Sequence, residues 1–126
     1  MTRLELLYLI QTRKNKINIS LDNIAKLSHL GLRTVNRFFA GEDVKLSTVE
    51  KITNLLGLDF AGNEVISQEI LEQKRAHEKA LFLASIIQGT SALEMQGLSD
   101  GPLKKIIQKL ENDLLHGPYK NTLWIA

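Results

Sequence analysis

Apolar side chains recur along this chain at intervals of three and four residues, the period of a helix buried on one side. The one stretch with a strand-like look, "INIS" at 17–20, is too short and lies beside a cap. Helix-start signals are frequent. Thr2-x-x-Glu5, Ser47-x-x-Glu50 and Ser91-x-x-Glu94 each match the capping box, and Ser20 reads as a plainer N-cap. Gly41, Gly57 and Gly117 follow periodic runs as C-terminal caps do, and Pro102 and Pro118 fall near helix boundaries. The pattern predicts an all-α chain of seven or eight helices over about 2–14, 20–28, 32–40, 47–56, 64–88, 91–97 and 100–115, with a turn at Phe60-Ala61-Gly62-Asn63. In the first helix Leu4, Leu7, Tyr8 and Ile10 are expected to face inward.

The stretch "IAKLSHLGLRTVNRFFAG" (24–41) holds a break. A glycine inside a helix costs about 1 kcal/mol against alanine, whereas at an N-cap it is tolerated. Gly31 therefore predicts one helix ending near Ser28, a tight turn at His29-Leu30-Gly31, and a second helix opening at Leu32. Ile24 and Leu27 face the partner helix, Ala25 permits a close crossing, Leu30 plugs the turn, and Val35 and Phe38 point inward. Two short helices joined in this way form a helix-turn-helix. The face left outward carries Leu32, Arg33, Asn36 and Arg37.

A length of 126 residues suits one domain, or one small domain with an extension, and 44% hydrophobic residues supply a core. The absence of cysteine removes disulfides, thiol nucleophiles and Cys-based zinc sites. No apolar run approaches a membrane span and the N-terminus lacks a signal-peptide profile, so a soluble cytoplasmic protein is expected. Net charge is only +2, but it is uneven: residues 1–60 hold nine Lys/Arg against six Asp/Glu, and residues 61–126 hold seven against eight. The basic excess lies in the half that contains the broken helix.

An α-helix fits the DNA major groove with its first turns near base edges. Arginine presents two donors to guanine and asparagine suits adenine, so Arg33, Asn36 and Arg37 are candidate base readers. Lys14, Lys16 and Lys45 are expected in flanking loops as phosphate contacts. Residues about 3–60, and above all "ISLDNIAKLSHLGLRTVNRFFAGEDVKLSTVEKITNLLGL", resemble the lambda-repressor/Cro-like (XRE-type) helix-turn-helix family. Ile24-Ala25, Leu30, Thr34-Val35-x-Arg37 and Gly41 carry the match, and "LSTVEKITNLLGL" looks like that family's fourth helix. The resemblance implies a five-helix lambda-repressor-like N-terminal domain over 1–61, followed by a helical C-terminal region over 62–126. It also implies a dimer on operator DNA, with Leu32, Arg33, Thr34, Asn36 and Arg37 at or beside base-facing positions. This chain departs from the pattern: Leu21 stands where Gln is frequent, His29 where Gly is, Gly31 where Ser or Thr is, and Phe39-Ala40-Gly41-Glu42 where Glu-Asn-Gly-Lys is. Glu42 and Asp43 place two negative charges near the expected DNA edge, and Phe39 needs cover from the C-terminal half. The plainer alternative is a helical bundle whose arginines are merely solvated.

The second half resembles no family. Its long helix is amphipathic at first, with Gln68, Glu69, Glu72, Gln73, Lys74 and Arg75 outward, and then apolar nearly all round in "KALFLASIIQ". Leu93, Leu98, Leu103, Ile106, Ile107, Leu110, Leu114 and Leu115 are its expected partners. About sixty residues are marginal for a free-standing core, so this half is expected to dimerise or to pack on the first. The tail "YKNTLWIA" either folds back or engages a partner protein. His29, His77 and His116 are scattered, and Glu69, Glu72 and Glu78 form a surface stripe with Lys74, Arg75 and Lys79. No enzyme activity, cofactor or metal is expected. Three functions compete: a dimeric repressor, an antitoxin whose C-terminal half masks a protein toxin while the helix-turn-helix autoregulates, and a structural adaptor.

Overall fold

The computed structural model describes residues 2–89, 94 and 101–126. Among them the chain is all-α: α1 (Arg3–Ile17), α2 (Leu21–Ser28), α3 (Leu32–Phe39), α4 (Leu46–Leu55), α5 (Gln68–Gln88) and α6 (Gly101–Leu115), then a 3-10 turn, Lys120–Thr122. The expected short helix at 91–97, with Ser91, Leu93 and Leu98, lies outside the described residues except for Glu94, which is helical. No described helix is long and apolar enough to cross a membrane. The chain divides into two compact units, Met1–Leu71 with Trp124–Ala126, and Glu72–Leu123.

In the first unit α1 opens on the expected capping box. Thr2 Oγ1 accepts the Glu5 N–H at 3.2 Å, and the Glu5 carboxylate accepts the Thr2 N–H at 3.3 Å. The helix runs on to Ile17 and stops where Asn18 turns left-handed. Its buried positions are Ile10, Arg13 and Ile17, spaced three and four apart. Leu4 and Tyr8, expected inward, are 66% and 70% exposed. The reason is angular: each lies two residues from Leu6, about 200° round the helix from the stripe that continues through Ile10.

Arg13 is the largest departure from expectation. It is 6% exposed and donates from Nε to the Leu56 carbonyl (2.9 Å), from Nη1 to Glu64 Oε1 (2.8 Å) and from Nη2 to the Ile66 carbonyl (2.7 Å). It thereby ties α1 to the end of α4 and to the segment before α5. That segment was expected to be helix from residue 64. Instead the Val65 and Ile66 N–H groups both donate to the Gly57 carbonyl, Leu58 and Glu64 form a single antiparallel bridge, and the helix waits for Ser67, whose hydroxyl accepts the Ile70 N–H. Gly57 sits at φ +71°, where a side chain would also meet Arg13 Nη2 and Ile66 at 3.3 Å. The expected turn at 60–63 is present, with Asp59 Oδ1 accepting the N–H groups of Ala61 and Asn63. These donors, Asn63 foremost, hold the Asp59 carboxyl below its ordinary pKa.

In the second unit Leu81, Ala84 and Leu103 form a buried cluster, with Ile107 and Leu110 packed against it. Arg75 and Lys79, one turn apart on α5, are not solvated as expected. Arg75 Nε donates to the Leu123 carbonyl at 2.9 Å and Lys79 Nζ to that of Thr122, and desolvation pulls both pKa values down. His77 Nδ1 lies 2.6 Å from Glu111 Oε1. Phe82, Ile86 and Ile87 stay 58–67% exposed. Of the tail, Leu123 is buried and Tyr119 exposed in this unit, whereas Trp124, buried, and Ile125, exposed, belong to the first.

Candidate functional site

The broken helix folds as its glycine and hydrophobic spacing dictate. Ser20 Oγ caps α2 by accepting the Asn23 N–H at 3.2 Å. The helix ends at His29, which takes a left-handed conformation at φ 57°, while Leu30 N–H returns to the Ala25 carbonyl at 2.9 Å. Gly31 then serves as N-cap of α3 in an extended conformation. Ile24, Ala25, Val35 and Phe38 are buried, Leu27 and Leu30 half-buried, and α2 packs against both α3 and α4. With Val35 and Phe38 locked inward, the 100° step per residue leaves Leu32, Arg33, Asn36 and Arg37 exposed on one face. Leu32 is 42% exposed, and Thr34 lies half-buried at the edge of that face.

A groove of about 620 Å³ runs between α3 and the start of α4, lined among others by Thr34, Arg37, Lys45, Ser47, Thr48 and Lys51, with Asp43 at its side. It brings together three of the sequence-predicted residues, Thr34, Arg37 and Lys45. Lys45 is the N-cap of α4 and has no side-chain cap. The capping box expected at Ser47 does not form, because α4 opens at Leu46 and Ser47 becomes its second residue. Lys51 was missed by the sequence reading. Its signal was the spacing Ser47-x-x-x-Lys51, which puts hydroxyl and ammonium on one face of the first turns of α4.

Lys14 and Lys16 are placed differently from expectation. They belong to the last turn of α1 and not to a loop, since the helix continues to Ile17, and they do not line this groove.

The end of α3 is built with equal definition. Gly41 turns left-handed at φ +88°. Its N–H donates to the Phe38 carbonyl (3.0 Å) and the Glu42 N–H donates to the Arg37 carbonyl (3.0 Å). Arg37 Nε lies 3.6 Å from Glu42 Oε1, and Arg3 pairs with Asp43. The two acids at the expected DNA edge are thus each engaged by an arginine. Phe39 is half-buried, its ring edge-on to Phe38 at 5.1 Å.

The arrangement offers cationic and amide donors side by side on the exposed face of α3. Among the described residues, no three His, Asp or Glu side chains gather as a metal site. The chain matches no family model, no curated protein and no solved structure.

Proposed function

We propose that this chain is a cytoplasmic, sequence-specific DNA-binding regulator of the lambda-repressor/Cro-like (XRE-type) kind, with a lambda-repressor-like domain over 1–61. It acts without a catalytic step, as a homodimeric repressor that lays α3 in the major groove of paired half-sites. One observation carries the reading: Leu32, Arg33, Asn36 and Arg37 are exposed together on the outer face of α3 while Val35 and Phe38 anchor its inner face. Arg33 and Arg37, a turn apart, have the donor geometry for guanine edges, and Asn36 for adenine. The groove at the start of α4, with Lys45 and Lys51, supports a phosphate seat beside them.

Selection of bound fragments from a randomised duplex library tests this directly, because it returns base preference and half-site spacing together. Arg33→Ala should cost about 1–3 kcal/mol on the selected site and relax preference at particular base pairs. Lys45→Ala should weaken all duplexes alike and make the salt dependence shallower by about one unit of log–log slope. Absence of duplex binding at low salt would refute the reading.

An antitoxin is the second reading, in which the C-terminal half covers a toxin. The exposed Phe82, Ile86 and Ile87 support it, since a protein partner is what such side chains ordinarily meet. Co-purification of a stoichiometric partner that is lost with Phe82→Ser and Ile86→Ser would favour it.

A further inference from the structure

We propose that Glu42 is a positioning residue for Arg37: its carboxylate, ion-paired with the Nε edge of the guanidinium, biases the side chain so that the two terminal nitrogens face one base. This inference rests on the DNA reading above. Its geometry begins in the backbone. The Gly41 N–H to Phe38 and Glu42 N–H to Arg37 bonds, closing around a glycine at φ +88°, are the paired bonds of a Schellman cap. That cap brings the side chain two positions past the helix end against the one three positions before it, a pairing usually made by apolar groups. Here the slot holds Glu42 and Arg37 as an ion pair, with Nε and Oε1 3.6 Å apart, longer than a hydrogen bond. The neighbouring acid, Asp43, is paired with Arg3.

An exposed pair of this kind adds little to folding, so its effect falls on what Arg37 meets. A guanidinium carries one donor on Nε and four on its terminal nitrogens. With Nε facing Glu42, the remaining edge is the one that forks onto guanine O6 and N7. Without that anchor the side chain is free to turn toward the nearest phosphate, a contact that carries no sequence information. The carboxylate acts a second way. Placed at the outer end of α3, it repels phosphate on any duplex, so it lowers affinity for random sequence more than for a site that gives Arg37 its base.

The test uses the full chain, short random-sequence duplexes and a randomised duplex selection. Glu42→Gln should bind random duplex about threefold to tenfold more tightly at low salt, with a log–log salt slope steeper by about one. Its selected sites should lose the base preference that Arg37→Ala also loses. Glu42→Asp keeps the charge on a shorter arm, so it should retain the wild-type salt slope and still lose that preference. If the wild type binds and Glu42→Gln leaves both slope and preference unchanged, the inference is overturned and the DNA reading stands. If the wild type binds no duplex, both fall. The Arg37 Nε–H resonance gives a readout free of DNA: it should shift between wild type and Glu42→Gln, and an unmoved resonance overturns the pairing on its own.

Discussion

Arg13 shows what one side chain can decide. Its three nitrogens serve Leu56, Glu64 and Ile66, so truncation removes a buried charge and orphans two carbonyl acceptors. Arg13→Ala should therefore cost about 3 kcal/mol of stability, read as a lower urea midpoint. Its partner makes a pH prediction. The Arg13 hydrogen bond, opposed by partial desolvation, holds the Glu64 carboxyl below its ordinary pKa. A carboxylate depressed in the folded state contributes stability above its unfolded pKa of about 4.3, and that contribution is lost as pH falls through the folded value. Glu64→Gln should accordingly lower stability at neutral and alkaline pH without changing the slope there, and flatten the acid limb of a profile measured from neutral pH downward. Asp59, held low chiefly by the Asn63 N–H, should still give way in the same acid range. Arg13 was visible in the sequence only as one of nine basic residues in the first half. Its position on the stripe of Ile10 and Ile17 was the available clue, and a charged residue on such a stripe reads as an interruption until its acceptors are known.

At the scale of elements, the helices announced themselves where cap and periodicity agreed. Thr2, Ser20 and Gly31 cap as their residue types allow, and the break at 29–31 follows from a glycine that a helix interior disfavours and a helix start tolerates. Ser47 failed because a motif match does not say which of several adjacent residues the chain will use as the cap. Lys45 took that position and the helix began two residues earlier than the box implied. The two serines can be separated experimentally. Ser20→Ala deletes a formed cap and should cost about 1 kcal/mol, whereas Ser47→Ala deletes no cap and should change stability by less than about 0.5 kcal/mol. A comparable loss in both variants by thermal denaturation would contradict the assigned start of α4. The segment at 64–67 was illegible for a different reason: its Val65 and Ile66 N–H groups are satisfied by Gly57, eight and nine residues back, and local periodicity carries no trace of such a partner. The outer face of α3 was legible because burial of Val35 and Phe38 fixes where their neighbours point. The groove beside it was not, since it depends on where α4 comes to lie.

At the scale of the whole molecule the first unit is discontinuous in sequence: the chain's last three residues belong with its first seventy-one. Trp124, the lone tryptophan, is 7% exposed, and the Ala126 N–H donates to Asn23 Oδ1 on α2 at 3.1 Å. The tail thus touches the same helix that supports α3. Burial of a ring this size predicts that Trp124→Ala costs about 3–5 kcal/mol. The indole N–H, however, finds no hydrogen-bond partner among the described residues. A buried donor left unmade contributes a penalty and no bond, so Trp124→Phe should recover most of what Trp124→Ala loses. The measurement is chemical denaturation followed by far-UV circular dichroism, since both variants lack the fluorophore. If the phenylalanine variant is as unstable as the alanine one, then shape or an unseen bond to the indole sets the stability of the tail, and simple apolar burial does not. In the wild type the same ring gives a local report. Because Trp124 belongs to the unit that carries α3, its fluorescence should follow the loss of that unit, while circular dichroism follows the helices of both. Two coincident curves would mean that the α3-bearing unit and the Glu72–Leu123 unit melt together, and two separate ones that each is a cooperative structure of its own.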